Sequence, residues 1–131
     1  MECPVCKKPT MVALELDQIE VDYCVDCGGI WLDSGELELL LEGADKRDEV
    51  LNSLEPDPSN AEEKRRCPIC ERRMEKVRAG ENRDLVIDRC KRNHGVWLDK
   101  GELHRVVGMS STAEENPIQE LLVDMFGGEH A

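Results

Sequence analysis

The sequence predicts a small α+β fold in which one unit of about 42 residues occurs twice. Three observations support this. The segment 24–37, CVDCGGIWLDSGEL, returns 66 positions later as CKRNHGVWLDKGEL at 90–103. Each copy follows a C-P-x-C pair, at 3–6 and at 67–70, and between the pairs apolar and polar residues alternate. A unit this short buries too little apolar surface to fold alone, which favours stabilisation by a metal.

The repeat divides the 131-residue chain into four segments. Residues 1–43 form the first unit, and residues 67–108 form the second. Between them, residues 44–66 are an acidic, proline-containing linker that has a weak helical pattern and is expected to be a solvated spacer. Residues 109–131 form a tail.

Each unit is expected to contain a β-hairpin and a tryptophan-covered core. In the first unit, apolar side chains alternate with polar or small ones over residues 12–16 and again over 19–23, the period of a half-buried strand. The second hairpin is more polar. Trp31 and Trp97 follow the hairpins and are expected to cover them as buried core residues.

A short helix is expected to end each unit. Asp33 is in the position of an N-cap, and Glu36 three residues later completes a capping box pattern. Asp99 and Glu102 repeat this pattern in the second unit. In both units leucine or valine residues then share one helical face, and a glycine ends the helix.

The cysteine spacing predicts two tetrahedral zinc sites. Two C-x2-C pairs with 17 residues between them fall within the zinc-ribbon window, because each pair on a tight turn takes two corners of a tetrahedron. In the second unit Asn93 stands where Cys27 stands in the first, and the next residue, His94, supplies the fourth ligand. The predicted ligand sets, for two zinc ions per chain, are Cys3, Cys6, Cys24 and Cys27, and Cys67, Cys70, Cys90 and His94. Iron in a rubredoxin-like centre is the alternative at the first site.

These features also favour some classes of protein over others. Seven cysteines with one histidine make two sets of four, whereas an odd cysteine count fits disulfides poorly. The chain has neither a signal-peptide pattern nor a long apolar run, so a cytoplasmic protein without a membrane span is expected. Closed four-ligand sites leave no coordination position for a substrate, so no enzyme activity is expected. A thiol redox enzyme is a weaker alternative, because the C-P-x-C pairs lack a βαβ context.

Charge is distributed unevenly between the units. The net charge is −12, but residues 67–108 carry ten basic and seven acidic side chains, whereas residues 1–42 carry two and ten. Nucleic-acid binding is therefore an alternative function for the second unit alone, since phosphate contacts dominate such affinity. The candidate contacts are Arg72, Arg73, Lys76, Arg78, Arg83, Arg89, Lys91 and Arg92.

The tail is predicted to contain an amphipathic helix at about 117–126. Asn116 and Pro117 have the pattern of an N-cap followed by the first helical residue. The apolar face comprises Ile118, Leu121, Leu122, Met125 and Phe126. This face either docks on a unit of its own chain or serves as a surface for a protein partner or for self-association.

Residues 3–41 and 67–107 resemble the bacterial TFIIB-like zinc ribbons, described as transcription-factor zinc fingers. Their pattern is C-P-x-C, a hairpin, and C-x-x-C-G-G-x-W-L-D-x-G-E-L with a short helix, and the second unit departs from it at Asn93-His94. The resemblance implies zinc ligation at the eight positions above and suggests a regulatory role. A non-enzymatic zinc-binding adaptor acting through protein–protein contacts is the function we expect from the sequence.

Overall fold

The computed structural model describes residues 1–80 and 85–110. In chain order their elements are β1 (Met11–Leu16), β2 (Ile19–Cys24), β3 (Ile30–Asp33), α1 (Glu36–Leu40), α2 (Arg47–Asn52), β4 (Glu55–Pro56), β5 (Glu75–Ala79), β6 (Leu85–Arg89), β7 (Gly95–Leu98) and α3 (Glu102–Met109). The predicted helix at 117–126 lies outside the described residues, as does Arg83.

The seven strands of the described residues form one antiparallel sheet in the order β1-β2-β3-β7-β6-β5-β4. Each repeated unit contributes three consecutive strands, and the units meet where β3 pairs with β7. The β1–β2 hairpin turns through Asp17 and Gln18, whose φ angles of 49° and 68° match the twist of the flanking strands. The predicted α+β fold of two tandem units is confirmed.

The β3–β7 pairing relates the two units by a pseudo-two-fold axis. Trp31 lies opposite Trp97, and these residues occupy the same position in the repeat. Ile30 pairs with Leu98, and Leu32 pairs with Val96, which are equivalent contacts seen from the two units. The units are therefore halves of one continuous sheet rather than independent modules.

The sheet has a buried cluster on each face, because successive side chains of a strand point to opposite sides. On one face, Ile30, Leu32 and Leu98 pack with the apolar residues of α1 and α3. On the other face, Trp31 and Trp97 are fully buried in a cluster that contains cysteines from both units. The expectation that both tryptophans are core residues is confirmed.

The expectation of a solvated linker is wrong for residues 47–57. Helix α2 buries Val50 in the core, and strand β4 pairs with β5. The carboxylate of Asp57 lies 2.7 Å from Nε of Arg78. Val50 and the neighbouring leucines supply enough apolar surface for docking, and Pro56 is tolerated because β4 is an edge strand.

The predicted aspartate N-caps are also wrong, although the glutamate half of each capping box is present. Helix α1 begins after Gly35, which has a φ of 92°, and no side chain caps it. Asp33 instead accepts a 2.8 Å hydrogen bond from the buried indole Nε1 of Trp31, which needs an acceptor. The Asp33 amide donates to Oε1 of Glu36 at 2.7 Å.

The second unit repeats this arrangement. Gly101, with a φ of 84°, precedes α3 without a side-chain cap. Nε1 of Trp97 donates to Asp99 at 3.0 Å, and the Asp99 amide donates to Glu102 at 2.7 Å. The W-L-D-x-G-E motif therefore couples each tryptophan to the start of its helix.

Candidate metal centres

The first centre brings together the four cysteines predicted for it. Cys3 and Cys6 lie on the turn before β1, Cys24 ends β2, and Cys27 follows in the turn toward β3. The Cys3–Cys27 and Cys6–Cys24 sulfur distances are 3.7 and 3.8 Å. A tetrahedral zinc ion with Zn–S bonds of about 2.3 Å would separate its sulfurs by roughly 3.8 Å.

Backbone amides and one hydroxyl surround these sulfurs. The Cys6 amide lies 3.3 Å from the Cys3 sulfur, and the Thr10 hydroxyl lies 3.0 Å from the Cys24 sulfur. Burial raises the pKa of the Cys24 thiol, but Thr10 and the amides of Cys27 and Asp26 outweigh it and lower that pKa to about 6. Burial raises the pKa of Cys27 well above its usual range. A metal cation is therefore needed to hold all four thiolates together.

The second centre contains three cysteines and His94. The Cys70 and Cys90 sulfurs are 3.7 Å apart. Nδ1 of His94 faces the group, 3.4 Å from the Cys90 sulfur and 4.0 Å from the Cys67 sulfur. These separations suit zinc with three Zn–S bonds and one shorter Zn–N bond of about 2.0–2.1 Å.

The histidine is accommodated because the residue with a left-handed backbone conformation lies one position earlier in the second unit than in the first. In the first unit Gly28, just after the last cysteine ligand, has a φ of 79°. In the second unit Asn93, just before the histidine ligand, has a φ of 63°. Asparagine adopts this conformation more readily than most residues, so the longer C-x3-H turn can present its imidazole.

The thiols of the second centre also differ in acidity. The Arg72 amide lowers the pKa of Cys70 to about 7, despite the opposing effect of burial. Burial raises the pKa of Cys67 to about 11. Because zinc binds thiolates and neutral imidazole, loading this centre releases protons. In both centres four protein ligands fill a tetrahedral zinc shell.

The two centres are joined through the tryptophans. A Cβ atom added at Gly29 would lie 2.1 Å from Cζ2 of Trp97, and one added at Gly95 would lie 2.8 Å from Cζ2 of Trp31. Each tryptophan therefore packs on the glycine beside the other unit's metal turn. The absence of a side chain at Gly29 permits this close approach.

The structure divides the basic residues predicted as nucleic-acid contacts into those that face an acidic partner and those that line one groove. Lys76 is only 3% exposed, with Nζ 2.7 Å from Asp88, and this burial removes it from the set. Nε of Arg78 lies 2.7 Å from Asp57, and Nε of Arg89 lies 3.2 Å from Glu75. The structure brings the remaining described members into one groove, namely Arg72, Arg73, Lys91 and Arg92.

Sequence reasoning missed two basic residues that belong with this region. Arg66 lines the same groove, and Nη1 of Arg65 lies 2.6 Å from Asp99. Both directly precede Cys67 but were assigned to the linker. Their position in the sequence could have identified them, since residues next to a ligand-bearing turn are held beside the metal centre.

The candidate partner face at 118–126 lies outside the described residues. None of the helices in the described part of the chain is long and apolar enough to cross a membrane.

Comparison with known families identifies both units. The sequence model of a family described as transcription factor zinc-finger matches residues 2–43 and 66–108. Comparisons with curated proteins and with solved structures gave no match. The two matched segments contain the strands β1 to β3 and β5 to β7, respectively, and all eight candidate ligands.

Proposed function

Because this chain belongs to the transcription factor zinc-finger family, we propose that it is a non-enzymatic zinc-binding adaptor or regulatory protein that acts through protein–protein contacts. The observation that carries the proposal is the closure of both centres by four protein ligands each. A filled tetrahedral shell leaves no position for a substrate or an activated water, which is the arrangement of structural zinc.

The distribution of side chains supports a scaffold role. The seven cysteines all belong to the two ligand sets, which supports a role in metal binding rather than in thiol chemistry. Zinc sites of this kind contribute on the order of 10–16 kcal/mol of binding free energy to folding. The predicted apolar face at 118–126 remains a candidate surface for a partner or for self-association.

Nucleic-acid binding by the second unit is the alternative function. The groove lined by Arg72, Arg73, Lys91 and Arg92 favours an anionic ligand of some kind. The net charge of −12 opposes a long polyanion.

Affinity capture from the protein's own cells separates the two functions. The tagged, zinc-loaded full chain is compared with a variant that ends at residue 110, each with and without nuclease treatment. Protein partners that survive nuclease support the adaptor, and their loss on truncation assigns the contact to the tail. Recovery that depends entirely on intact nucleic acid contradicts the adaptor and supports the alternative.

A further inference from the structure

A basic groove lies beside the second metal centre. Its cavity of about 420 Å³ is lined by Arg66, Glu71, Arg72, Arg73, Cys90, Lys91 and Arg92. We call this surface the arginine groove. It contains five cationic side chains and one carboxylate.

The metal centre itself assembles the groove. Arg72 and Arg73 follow the ligand Cys70, whereas Lys91 and Arg92 follow the ligand Cys90. The Cys70 and Cys90 sulfurs are 3.7 Å apart, so a bound zinc ion would hold these two turns side by side. The cations are thus concentrated on one surface although they lie about 20 residues apart in sequence.

These cations are available to a ligand. All five are exposed, and among residues 1–80 and 85–110 no carboxylate forms an ion pair with any of them. Arg66 uses one N–H on the Glu71 carbonyl at 3.1 Å, which leaves its charge uncompensated. By contrast, Lys76, Arg78 and Arg89 of the same unit each face an acidic partner.

We propose that the arginine groove binds a short acidic peptide segment of a protein partner and is the recognition surface of the second unit. This inference rests on the proposed adaptor function. Guanidinium groups fit carboxylates in a bidentate geometry, and four of the five cations in the groove are arginines.

The surroundings of the groove favour a short peptide over nucleic acid. The neighbouring cleft of about 670 Å³ that reaches the first unit has five cationic side chains against three carboxylates, Glu2, Glu63 and Glu71, so its positive charge is more nearly balanced than that of the groove. A long polyanion would continue onto the first unit, whose first 42 residues carry ten acidic side chains. No aromatic side chain lines the groove within the described residues, so bases would find no stacking platform.

The experiment measures binding of a fluorescein-labelled octapeptide of alternating glutamate and serine to the zinc-loaded full chain. Arg72→Glu and Arg92→Glu are compared with Lys8→Glu, which changes the charge equally at an exposed site outside the groove. The groove variants are expected to bind at least fivefold more weakly than the wild type, and Lys8→Glu within twofold of it. Zinc content and circular dichroism confirm that each variant is folded.

Three results would overturn the proposal. One is no measurable binding of the octapeptide at low salt. Another is equal weakening by Lys8→Glu, which indicates general attraction rather than a groove. The third is a mixed 12-nucleotide RNA that binds tenfold more tightly than the peptide and responds to the same variants. Should the peptide fail while nuclease-resistant partners are still captured, the adaptor function stands and its contact surface lies elsewhere.

Discussion

The two units share one backbone architecture but surround the aspartate at one equivalent strand position with different charges. In the first unit Asp22 lies opposite Ala13, whereas in the second its equivalent Asp88 lies opposite Lys76. Arg65 adds a second cation 3.8 Å from Asp88. Burial raises the pKa of Asp22, and neighbouring carboxylates raise it further.

This difference shows what the shared architecture does not require. Both units keep the metal turns, the tryptophan and the following helix, which lie in the shared buried clusters. The charged pairs on the hairpins have diverged, with Lys76 and Asp88 nearly inaccessible to solvent in one unit only. The metal and tryptophan layer therefore holds the fold, while hairpin charge is free to specialise a surface.

Loss of a metal ligand is the largest expected effect and tests whether the units are equivalent. Cys24→Ala and Cys90→Ala should each lower the bound zinc from two ions to one, because the loss removes most of a binding free energy of about 10–16 kcal/mol. Native mass spectrometry measures the zinc per chain. His94→Cys is the control and should retain two ions, since it keeps four ligands. Retention of two ions by both alanine variants would contradict the ligand sets.

Removing the buried cation of the second hairpin should destabilise the protein, whereas removing the equivalent aspartate charge of the first hairpin should not. Lys76→Met leaves Asp88 buried with only Arg65 nearby, and we expect a loss of about 3–5 kcal/mol in the free energy of unfolding. Urea unfolding of the zinc-loaded protein measures it. Adding Asp88→Leu should recover most of the loss. In the first unit Asp22→Asn should be neutral or stabilising at neutral pH, because it removes a carboxylate whose charged form is disfavoured. Equal destabilisation by Asp22→Asn would remove the distinction.

Adding a methyl group at the contact between the units should test how tightly the tryptophans pack there. Gly29→Ala places a Cβ within 2.1 Å of Trp97 and should cost about 1–3 kcal/mol through overpacking. Gly43→Ala is the control, since its φ of 86° carries only backbone strain and nothing lies within 4 Å. Urea unfolding measures stability, and tryptophan fluorescence reports the packing. A Gly29→Ala cost no greater than that of Gly43→Ala would show that the tryptophan contact is not tight.

A pH effect on stability should report the buried glutamate that follows the second tryptophan. Burial raises the pKa of Glu102 to about 8, from a usual value of 4.5. The folded form favours the protonated Glu102 carboxyl. The resulting stabilisation of the fold is complete below pH 4.5 and is lost as pH rises through 8. Between these values the free energy of unfolding should fall by up to about 1.4 kcal/mol per pH unit.

The comparison of wild type with Glu102→Gln isolates this slope from the titration of the metal ligands. Urea unfolding of zinc-loaded protein at pH 6, 7 and 8 should show the loss in the wild type and a flatter profile in the variant. Burial also raises the pKa of Glu36, so Glu36→Gln is the matched variant in the first unit. Parallel profiles for wild type and Glu102→Gln would be evidence against a buried, protonated Glu102.

The candidate centres were predictable because ligand spacing is local. Two cysteines on a tight turn point at one position whatever the rest of the chain does, so Cys24 and Cys27 could be assigned from their spacing. The extra residue before His94 was also visible by aligning the repeats. The roles of Asp33 and Asp99 were not predictable in this way, since their carboxylates can accept hydrogen bonds from a nearby indole as well as from the helix amides. The buried indoles took them in preference to the helix amides.

The sequence by itself determined the duplication, the hairpins, the ligand sets and the approximate positions of α1 and α3, although α3 continues through Gly108 to Met109 instead of ending at the glycine. All of these follow from periodicity and spacing. Only the tertiary structure decided that β3 pairs with β7, that each tryptophan covers the other unit's glycine, and that α2 docks on the core. These contacts join residues far apart in the chain, and their energy depends on complementary shape that no local pattern encodes. The arginine groove belongs to the same class, since its cations meet only when one metal centre closes both turns.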